Sequence, residues 1–432
     1  MKNPSESADH VNAGIEACKE FERAVSRLTS KFSALWRSES EALAPFGRSF
    51  SIQEQRETEK RVENVMASDA DVDAGSEEDA LVQMQRVKAS VRDLVVRSMD
   101  PDHREETQSM LSQFSESGDD FVRRARQFDP ALRAEDIFQA LRNVWIINSM
   151  QVAFGLPVQV NRSALAYSLL YPYTDNYLDA PKVSEQEKKE FNRLLGRRLA
   201  GVAVTPSTDL AAKVFDLAGI IESEYPRPLF SGVYESLLAI HRGQERSMQQ
   251  HEREGCCEQP DILQISVEKG GTSVLADAYV AKGVPTPREV NFAFGYGVFL
   301  QLIDDMQDVE ADGRRGHRTL FTLEAREGPL DAIANRLLRF INSVLSSWDL
   351  RTRPRTKVLA ELVRKSCRSL VLESIALTPS LYSPAFIRTV EPSSPMRFSC
   401  IRKLHEGVRS KQDRLRKSFK GKRLVHLAAA CV

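Results

Sequence analysis

Apolar residues recur at helical spacing along most of this chain, and no stretch shows the strict alternation of a half-buried strand. Proline residues fall near the boundaries between the periodic segments, where they end one helix or begin the next. The predicted helices are Leu81–Met99, Arg104–Phe114, Glu135–Phe154, Ser163–Leu178, Glu185–Ala200, Asp209–Glu222, Leu229–Gln250, Ile262–Ala281, Pro287–Val309, Leu330–Ser347 and Thr356–Ala376, after a first one within residues 13–36. Successive helices with short connections favour a single all-α bundle.

Composition changes near both ends of this helical region predict three segments. Residues 1–80 form an N-terminal helical extension that ends in the acidic stretch Ser68–Asp79, residues 81–390 form the bundle, and residues 391–432 form a basic tail. The acidic stretch has few large apolar residues, so we interpret it as an exposed linker or a helix cap. A metal-binding loop is the weaker interpretation, because its aspartates depart from the Ca²⁺-loop spacing.

Charge is balanced over the whole chain, with 60 basic and 60 acidic residues, so bulk attraction to nucleic acid is not expected. The tail departs from this balance, because residues 402–423 carry ten lysines or arginines against two acidic residues. A solvated tail is the simplest interpretation. Weak contact with an anionic membrane surface or an acidic protein is the alternative.

Targeting signals and cysteine usage bear on the compartment. No apolar run is long enough to span a bilayer, and the first ten residues lack the apolar core of a signal peptide. The six cysteines show no metal-type spacing. A reduced cytoplasmic compartment is therefore expected. The sequence predicts no particular oligomeric state.

The strongest candidate chemistry lies where an apolar run, residues 297–303, turns into the carboxylates Asp304, Asp305 and Asp308. Asp304 and Asp308 are four residues apart, so on a helix they share one face, with Cβ atoms roughly 5–6 Å apart. Two carboxylates this close repel unless a cation lies between them, and hard oxygen ligands suit Mg²⁺. The plain alternative is a solvated acidic helix end.

A second acidic pair repeats this spacing. Asp175 and Asp179 follow another apolar helix, which Ala180-Pro181 then stops. If two such helix ends face each other, four carboxylates surround one cavity mouth and form a polynuclear Mg²⁺ site. A substrate that uses such a site carries a dense negative charge, as a diphosphate does.

Basic residues near both motifs complete a predicted anion site. Lys269 precedes the adjacent glycines Gly270 and Gly271, which predict a break in the helix and backbone N–H groups exposed to a bound anion. A plain helix boundary is the alternative. A basic stretch after Asp308 predicts a flap over the diphosphate, with a solvated loop as the alternative. Its candidate residues are Arg314, Arg315 and Arg318.

Side chains three, four and seven residues before an aspartate share its helical face, so they predict the walls of the cavity. These candidates are Tyr171, Ser168, Leu300, Gln301 and Gly297. Gly297 has no side chain and would leave volume for a ligand. The ring of Tyr171 offers a cation–π contact to a carbocation, and ordinary core packing is the alternative for such a ring.

The two motifs resemble those of the class I isoprenoid synthase superfamily, which includes prenyl diphosphate synthases, squalene and phytoene synthases, and class I terpene synthases. Asp175-Asn176-Tyr177-Leu178-Asp179 resembles the first aspartate-rich motif. Residues 297–308 match the second one, Gly-x-x-x-Gln-x-x-Asp-Asp-x-x-Asp. By helix order the resemblance extends from Glu135 to Ser347.

This resemblance implies an all-α fold, a trinuclear Mg²⁺ site and ionisation of an allylic prenyl diphosphate. The two motifs would bind metal from opposite walls of the cavity, with Asp305 as a ligand or a supporting residue. The implied metal ligands are Asp175, Asp179, Asp304, Asp305 and Asp308, and the implied diphosphate contact is Lys269.

Departures from the family patterns favour one subfamily. Asn176 replaces the second aspartate of chain-elongating synthases, and no arginine pair follows it. The Tyr-x-x-x-Val-Ala-Gly motif of squalene and phytoene synthases is absent, as is the Asn/Ser/Glu motif of microbial terpene synthases. The combination is similar to terpene synthases built on a squalene-synthase-like or prenyltransferase-like framework.

We therefore expect a Mg²⁺-dependent terpene synthase that ionises a prenyl diphosphate and cyclises or rearranges the resulting cation. The first alternative is a prenyltransferase, of the prenyl diphosphate or squalene/phytoene type. It needs a second anion site, for which Arg197 and Arg198 are the nearby pair, although a surface position is favoured for them. The second alternative is a helical isoprenoid-binding protein without activity, which Asn176 and the basic tail favour.

Overall fold

The computed structural model describes most of the chain, namely residues 4–68, 92–93, 95–178, 180, 182–250, 261–348 and 354–407. These residues form helices and connections without a β-strand, which confirms the predicted all-α class. No helix in this part of the chain is long and apolar enough to cross a membrane.

The chain divides into two compact units. Unit 1 contains residues 1–39 and 161–322, and unit 2 contains residues 40–160 and 323–432. Both aspartate motifs, Lys269 and the basic stretch after Asp308 belong to unit 1. The segment boundaries predicted at 80/81 and 390/391 stay predictions, and they differ from the positions at which the chain divides into units.

Unit 1 is built from one long N-terminal helix and a run of consecutive helices. They are α1 (Pro4–Ser38), α5 (Arg162–Leu178), α6 (Glu185–Leu199), α7 (Asp209–Glu224), α8 (Ser231–Ser247), α9 (Ile262–Lys282), α10 (Pro287–Gln307) and α11 (Val309–Arg315). Helix α9 is apolar on nearly all sides, as expected of a helix enclosed by others. Helices α1, α5, α8 and α10 pack against it.

The contact between α9 and α10 depends on glycines. A Cβ atom added at Gly270 would lie 2.6 Å from the carbonyl oxygen of Gly297, and one added at Gly297 would overlap the Gly270 carbonyl. A side chain at Gly271 would overlap the ring of Phe294. The predicted helix break at Gly270-Gly271 is therefore wrong: α9 is continuous, and these glycines allow two backbones to approach closely.

Helix α5 runs antiparallel to α9. At its start, the Asn161 amide donates to the Val280 carbonyl oxygen at 3.4 Å, and further along the Tyr171 and Ser273 hydroxyl groups are 2.8 Å apart. Helix α5 continues through Pro172, whose ring removes one backbone donor without ending the helix. The C-terminal turn of α5 consequently extends toward the N-terminal half of α9.

Helix α1 is a part of the unit 1 core. The ring of Phe32 stacks on Phe294 of α10 with centroids 5.7 Å apart, and Phe21 contacts Tyr279 of α9 at the same centroid distance. The periodicity predicted this helix over residues 13–36, and the observed helix begins earlier, at Pro4. The grouping of residues 1–80 into one extension stays a prediction.

Unit 2 has its own core. Its helices are α2 (Ile52–Ser68), α3 (Arg104–Phe128), α4 (Ala134–Phe154), α13 (Asp331–Ser347), α14 (Pro354–Leu377) and α15 (Pro384–Val390), with 3₁₀ turns at Pro101–His103, Pro379–Leu381 and Glu391–Ser393. Helix α14 packs against α3, α4 and α13. Arg397 forms a bidentate ion pair with the buried Glu59 of α2. Helix α12 (Leu320–Glu327) contains the division between the units.

Most predicted helices agree with the observed ones to within two or three residues at each end. Helix α3 extends to Phe128, well past the predicted Phe114, and α2 was not predicted. The predicted helix Leu81–Met99, the acidic linker and the tail beyond residue 407 lie wholly or largely outside the described residues. Residues 398–407, at the start of that tail, are helical.

We expect Gly297→Ala to lower the free energy of unfolding by about 2 kcal/mol or more, because the added methyl group separates α9 from α10. Urea unfolding of the purified chain measures the change. Gly313→Ala is the matched control, since a Cβ at this exposed helical position meets nothing within 4 Å. Equal stability of the two variants would contradict the close-packing role of Gly297.

Candidate metal and diphosphate site

The second aspartate motif forms the C-terminal end of α10. The backbone N–H of Asp308 donates to the Asp304 carbonyl oxygen at 2.9 Å, and the N–H of Asp312 donates to that of Asp308 at 2.8 Å. These bonds, which continue from α10 into α11, space Asp304, Asp308 and Asp312 about one turn apart. Asp304 is half-buried and Asp308 is exposed, so this face opens to solvent.

Asp305 points the other way, into the contact with α9. Its carboxyl group accepts hydrogen bonds from the Gln301 amide at 2.8 Å and from the Ser266 hydroxyl at 3.2 Å. Burial, reinforced by the neighbouring Asp304, raises the pKa of Asp305 to about 7, although both hydrogen bonds and Lys269 act against that shift. Asp305 is therefore placed to support the motif from behind rather than to meet a metal ion in solvent.

Asp312 extends the acidic face and was not among the predicted residues. Burial raises its pKa, the charges of Asp308 and Asp304 add to that shift, and Arg315 and Lys269 oppose it. Asp312 lies eight residues after Asp304, which is two helical turns. Continuing the four-residue spacing past Asp308 would have found it.

Lys269 lies on the part of α9 that faces this motif. It is half-buried, and its charge acts on both Asp305 and Asp312. This is expected, because Lys269 follows Ser266 by three residues on α9 and Ser266 donates to Asp305. A cation here offsets part of the repulsion among the carboxylates. It also suits the predicted contact with a diphosphate.

The basic stretch after Asp308 surrounds the end of α11. Arg314 is exposed and 3.7 Å from Glu310, and Arg315 is exposed near Asp312. Arg318 is fixed through its backbone, because its N–H donates to the Gln250 carbonyl at 2.8 Å and its carbonyl accepts from the Gln250 amide at 3.1 Å. The guanidinium groups of Arg314 and Arg315 are thus exposed to solvent, whereas two hydrogen bonds to Gln250 hold the backbone of Arg318 in place.

The first motif lies on the last turn of α5. Asp175 is half-buried and Asn176 is exposed, while Asp179 lies outside the described residues. One turn earlier, the half-buried Tyr171 contacts Ser273 of α9. Because α5 and α10 both run antiparallel to α9, their aspartate-bearing ends reach the same end of that helix.

The two motifs do not form a compact three-ligand cluster within the described residues. The one such cluster found there, with ligand atoms within 4.8 Å of one another, is Asp100, His103 and Glu361 of unit 2. Lys365 already lies 2.6 Å from Glu361 and supplies a positive charge to it. We therefore interpret the unit 2 cluster as an ion-pair network.

The predicted wall residues divide into two groups. Ser168 is fully buried, and the space where Gly297 would carry a side chain is filled by the Gly270 backbone. Neither residue therefore leaves space for a ligand. The prediction that Gly297 provides ligand volume is wrong for that reason. Tyr171 and Leu300 keep partial exposure, and Gln301 holds Asp305 through its amide.

The pair Arg197-Arg198 lies at the other end of unit 1. Both terminal nitrogens of Arg198 donate to Glu222 at 2.6 Å, and Glu224 of the same helix accepts from the N–H of Ser163 at the start of α5. Ser163 is twelve residues, roughly 18 Å along α5, from Asp175. Arg198 lines a separate cavity of about 430 Å³, whereas Arg197 is exposed.

Comparisons with known proteins find no match for this chain among family models, curated proteins or solved structures. The geometry of the site therefore carries the functional interpretation.

Asp305 predicts a pH-dependent stability. Its folded-state pKa of about 7 lies above its ordinary value of 3.8, so the folded chain binds the proton more tightly than the unfolded chain. The stability contributed by this group is present at low pH and is lost as the pH rises from about 4 to about 7.

As the pH rises from 4.5 to 8, we expect the free energy of unfolding of Asp305→Asn to increase relative to that of the wild type by at least about 1 kcal/mol. This change corresponds to roughly one pKa unit. Urea unfolding in metal-free buffer at both pH values measures the gain. Asp216→Asn, which removes an exposed carboxyl on α7, should follow the wild type. An Asp305→Asn gain that does not change with pH would contradict the raised pKa.

The Arg198–Glu222 ion pair gives a matched comparison of neighbouring arginines. We expect Arg198→Ala to lower the free energy of unfolding by about 1–2 kcal/mol, since Glu222 loses a bidentate partner and keeps its hydrogen bonds with Arg227. The exposed Arg197→Ala should change it by less than about 0.5 kcal/mol. The same urea titration measures both, and a larger loss for Arg197→Ala would reverse the assignment.

Proposed function

We propose that this chain is a Mg²⁺-dependent class I terpene synthase of the isoprenoid synthase type. The supporting observation is that α5 and α10, both antiparallel to α9, bring their aspartate-bearing ends to the same end of that helix, beside Lys269. A solvated acidic helix end would not need a second acidic helix end and a cation at the same place.

The donor set suits Mg²⁺ in its chemistry. Asp304 and Asp308 present carboxylate oxygens on one solvent-facing side of α10, and Asp175 presents another from α5. Mg²⁺ prefers hard oxygen ligands such as carboxylates that solvent can reach, and it keeps several waters or substrate phosphates in its coordination shell. When bound, the metal neutralises a diphosphate and makes it a better leaving group.

The chain's own residues bind and orient the substrate. Asp305, held by Gln301 and Ser266, fixes the end of α10, so that Asp304 keeps its direction. Lys269 contacts the diphosphate from α9. Arg314 and Arg315, exposed beyond the acidic face, add positive charge on the solvent side and act as a flap.

Cyclisation is favoured over prenyl transfer by the position of the arginine pair. A prenyltransferase needs a second anion site close to the first. Arg198 is committed to Glu222 near the opposite end of α5 from Asp175, and Arg197 is exposed. Neither of the two guanidinium groups can therefore hold a second diphosphate beside the aspartate motifs.

We expect the purified chain to release diphosphate from at least one C10 to C25 prenyl diphosphate when Mg²⁺ is present, and to form a hydrocarbon or alcohol. Asp304→Ala and Asp175→Ala should each lower the rate at least about 100-fold, because a metal ligand supplies several kcal/mol of charge stabilisation. A diphosphate-release assay and gas chromatography–mass spectrometry measure rate and product.

Asp216→Asn is the control for the loss of one acidic residue, and its rate should equal that of the wild type. Longer prenyl chains formed only when isopentenyl diphosphate is added would identify a prenyltransferase instead. Binding of prenyl diphosphates without turnover by the wild type, unchanged in Asp304→Ala, would identify a binding protein.

A further inference from the structure

Arg368 of α14, in unit 2, carries a half-buried guanidinium group that has no acidic partner among the described residues. Within that part of the chain it takes part in no hydrogen bond and no ion pair. Burial lowers the pKa of Arg368, and the charge of Arg364 adds to the shift. A positive charge partly withdrawn from water costs free energy unless an anion compensates it.

Two other half-buried arginines of unit 2 do have a carboxylate partner. Arg355 donates to Glu106 at 2.7 Å, and Arg336 forms an ion pair with Glu41. In both pairs the chain itself supplies the compensating negative charge. At Arg368 an anion from outside the chain can take that place.

The guanidinium group of Arg368 lies against the backbone of Gly47. A Cβ atom added at Gly47 would overlap one of the terminal nitrogens of Arg368, and the φ of Gly47 is +96°. Glycine permits both this backbone conformation and the close approach of the arginine. Because Gly47 is exposed, the guanidinium group lies where solvent and a small ligand reach it.

A second arginine shares this side of α14. Arg364 lies four residues before Arg368, and like charges at this helical spacing repel each other. The Nε–H of Arg364 donates to the side-chain oxygen of Asn342 on α13 at 3.1 Å, which is a neutral acceptor. An anion between the two guanidinium groups would replace their repulsion by attraction.

Helix α13 supplies a third arginine and holds the segment that leads to Gly47. Arg339 donates to the carbonyl oxygens of Ala42 and Leu43 at 3.3 and 2.8 Å. It lies three residues before Asn342, so the two side chains share one face of α13. The segment before Gly47 is thus fixed to α13, and this contact organises the surroundings of the two α14 arginines before a ligand binds.

Acidic residues of the same two helices are engaged with other groups. Glu361 of α14 lies 2.6 Å from Lys365, and Asp331 of α13 accepts from the N–H of Ser383 at 2.9 Å. These carboxylates therefore do not supply the compensating charge at Arg368.

We propose that Arg364 and Arg368 form a binding site for the phosphate group of a small molecule. A planar guanidinium group presents parallel N–H donors that match two phosphate oxygens, and such charge-assisted hydrogen bonds are short and strong. Two positive groups one turn apart favour a dianion over a monocarboxylate. The site uses none of the residues of the proposed function and does not depend on it.

The test measures binding of inorganic phosphate and, for comparison, of acetate. Calorimetric titration of the full chain at mildly alkaline pH, in metal-free buffer of constant ionic strength, gives both affinities. We expect the wild type to bind phosphate with a Kd of about 1 mM or tighter, and acetate at least about tenfold more weakly.

Arg368→Gln and Arg364→Gln should each weaken phosphate binding at least about tenfold, because each removes charge-assisted hydrogen bonds. Arg368→Lys keeps the charge but loses the planar pair of donors, so its affinity should lie between those of Arg368→Gln and the wild type. Arg197→Gln removes an exposed positive charge from unit 1 and should bind phosphate as the wild type does. Circular dichroism checks that each variant is folded.

A further control separates this site from the candidate diphosphate site. Lys269→Gln should leave phosphate binding unchanged. Binding that is lost in Lys269→Gln and kept in Arg368→Gln would assign the phosphate to the aspartate motifs and overturn the proposal. Turnover of prenyl diphosphates by a folded Arg368→Gln variant would leave the proposed function standing.

Equal affinity of the wild type for phosphate and acetate would overturn the proposal, as would unchanged phosphate affinity in folded Arg368→Gln. If Arg368→Gln does not fold, Arg364→Gln decides by the same criterion. Retention of the chain on phosphatidylcholine vesicles that contain phosphatidic acid, without binding of free phosphate, would also contradict a small-molecule site.

Discussion

The contact between Gly270 and Gly297 is the constraint on which the candidate site depends. Helices with ordinary side chains at their contact lie about 8–10 Å apart, and glycines on both sides allow a closer approach. This approach fixes the register of α10 against α9. With that register, Asp305 meets Ser266 and Lys269 lies beside the second acidic motif. A pair of residues without side chains therefore positions the residues that carry the charge.

That register also limits the electrostatic repulsion at the acidic helix end. Asp305 is turned inward, where burial raises its pKa to about 7 and so reduces its negative charge near neutral pH. Asp304 and Asp308 face solvent, where water screens their repulsion. The positive charge of Lys269 offsets a further part of the repulsion among these carboxylates. The remaining negative charge is concentrated on one accessible face, which is the condition for binding a divalent cation.

The sequence predicted what depends on neighbours along one helix, and it failed where the partner is distant in the chain. Helical periodicity placed α5, α9 and α10, and the four-residue spacing placed Asp304 and Asp308 on one face. Gly270 was read as a local break because its contact, Gly297, lies 27 residues later in the sequence. The pairing of Arg198 and the burial of Asp277 were hidden for the same reason.

One face of α5 separates the acidic end of the helix from its buried tyrosine. Asp175 and Tyr167 are eight residues apart, so about 12 Å of helix lies between them. At an effective dielectric constant of 20, two unit charges interact by about 4 kcal/mol at 4 Å but only about 1.4 kcal/mol at 12 Å. Among the causes that raise the pKa of Tyr167, the charge of Asp175 accordingly comes after burial, Tyr171 and Asp277. The charge of Asp175 therefore acts mainly at the end of α5, where the half-buried side chain is reached by solvent.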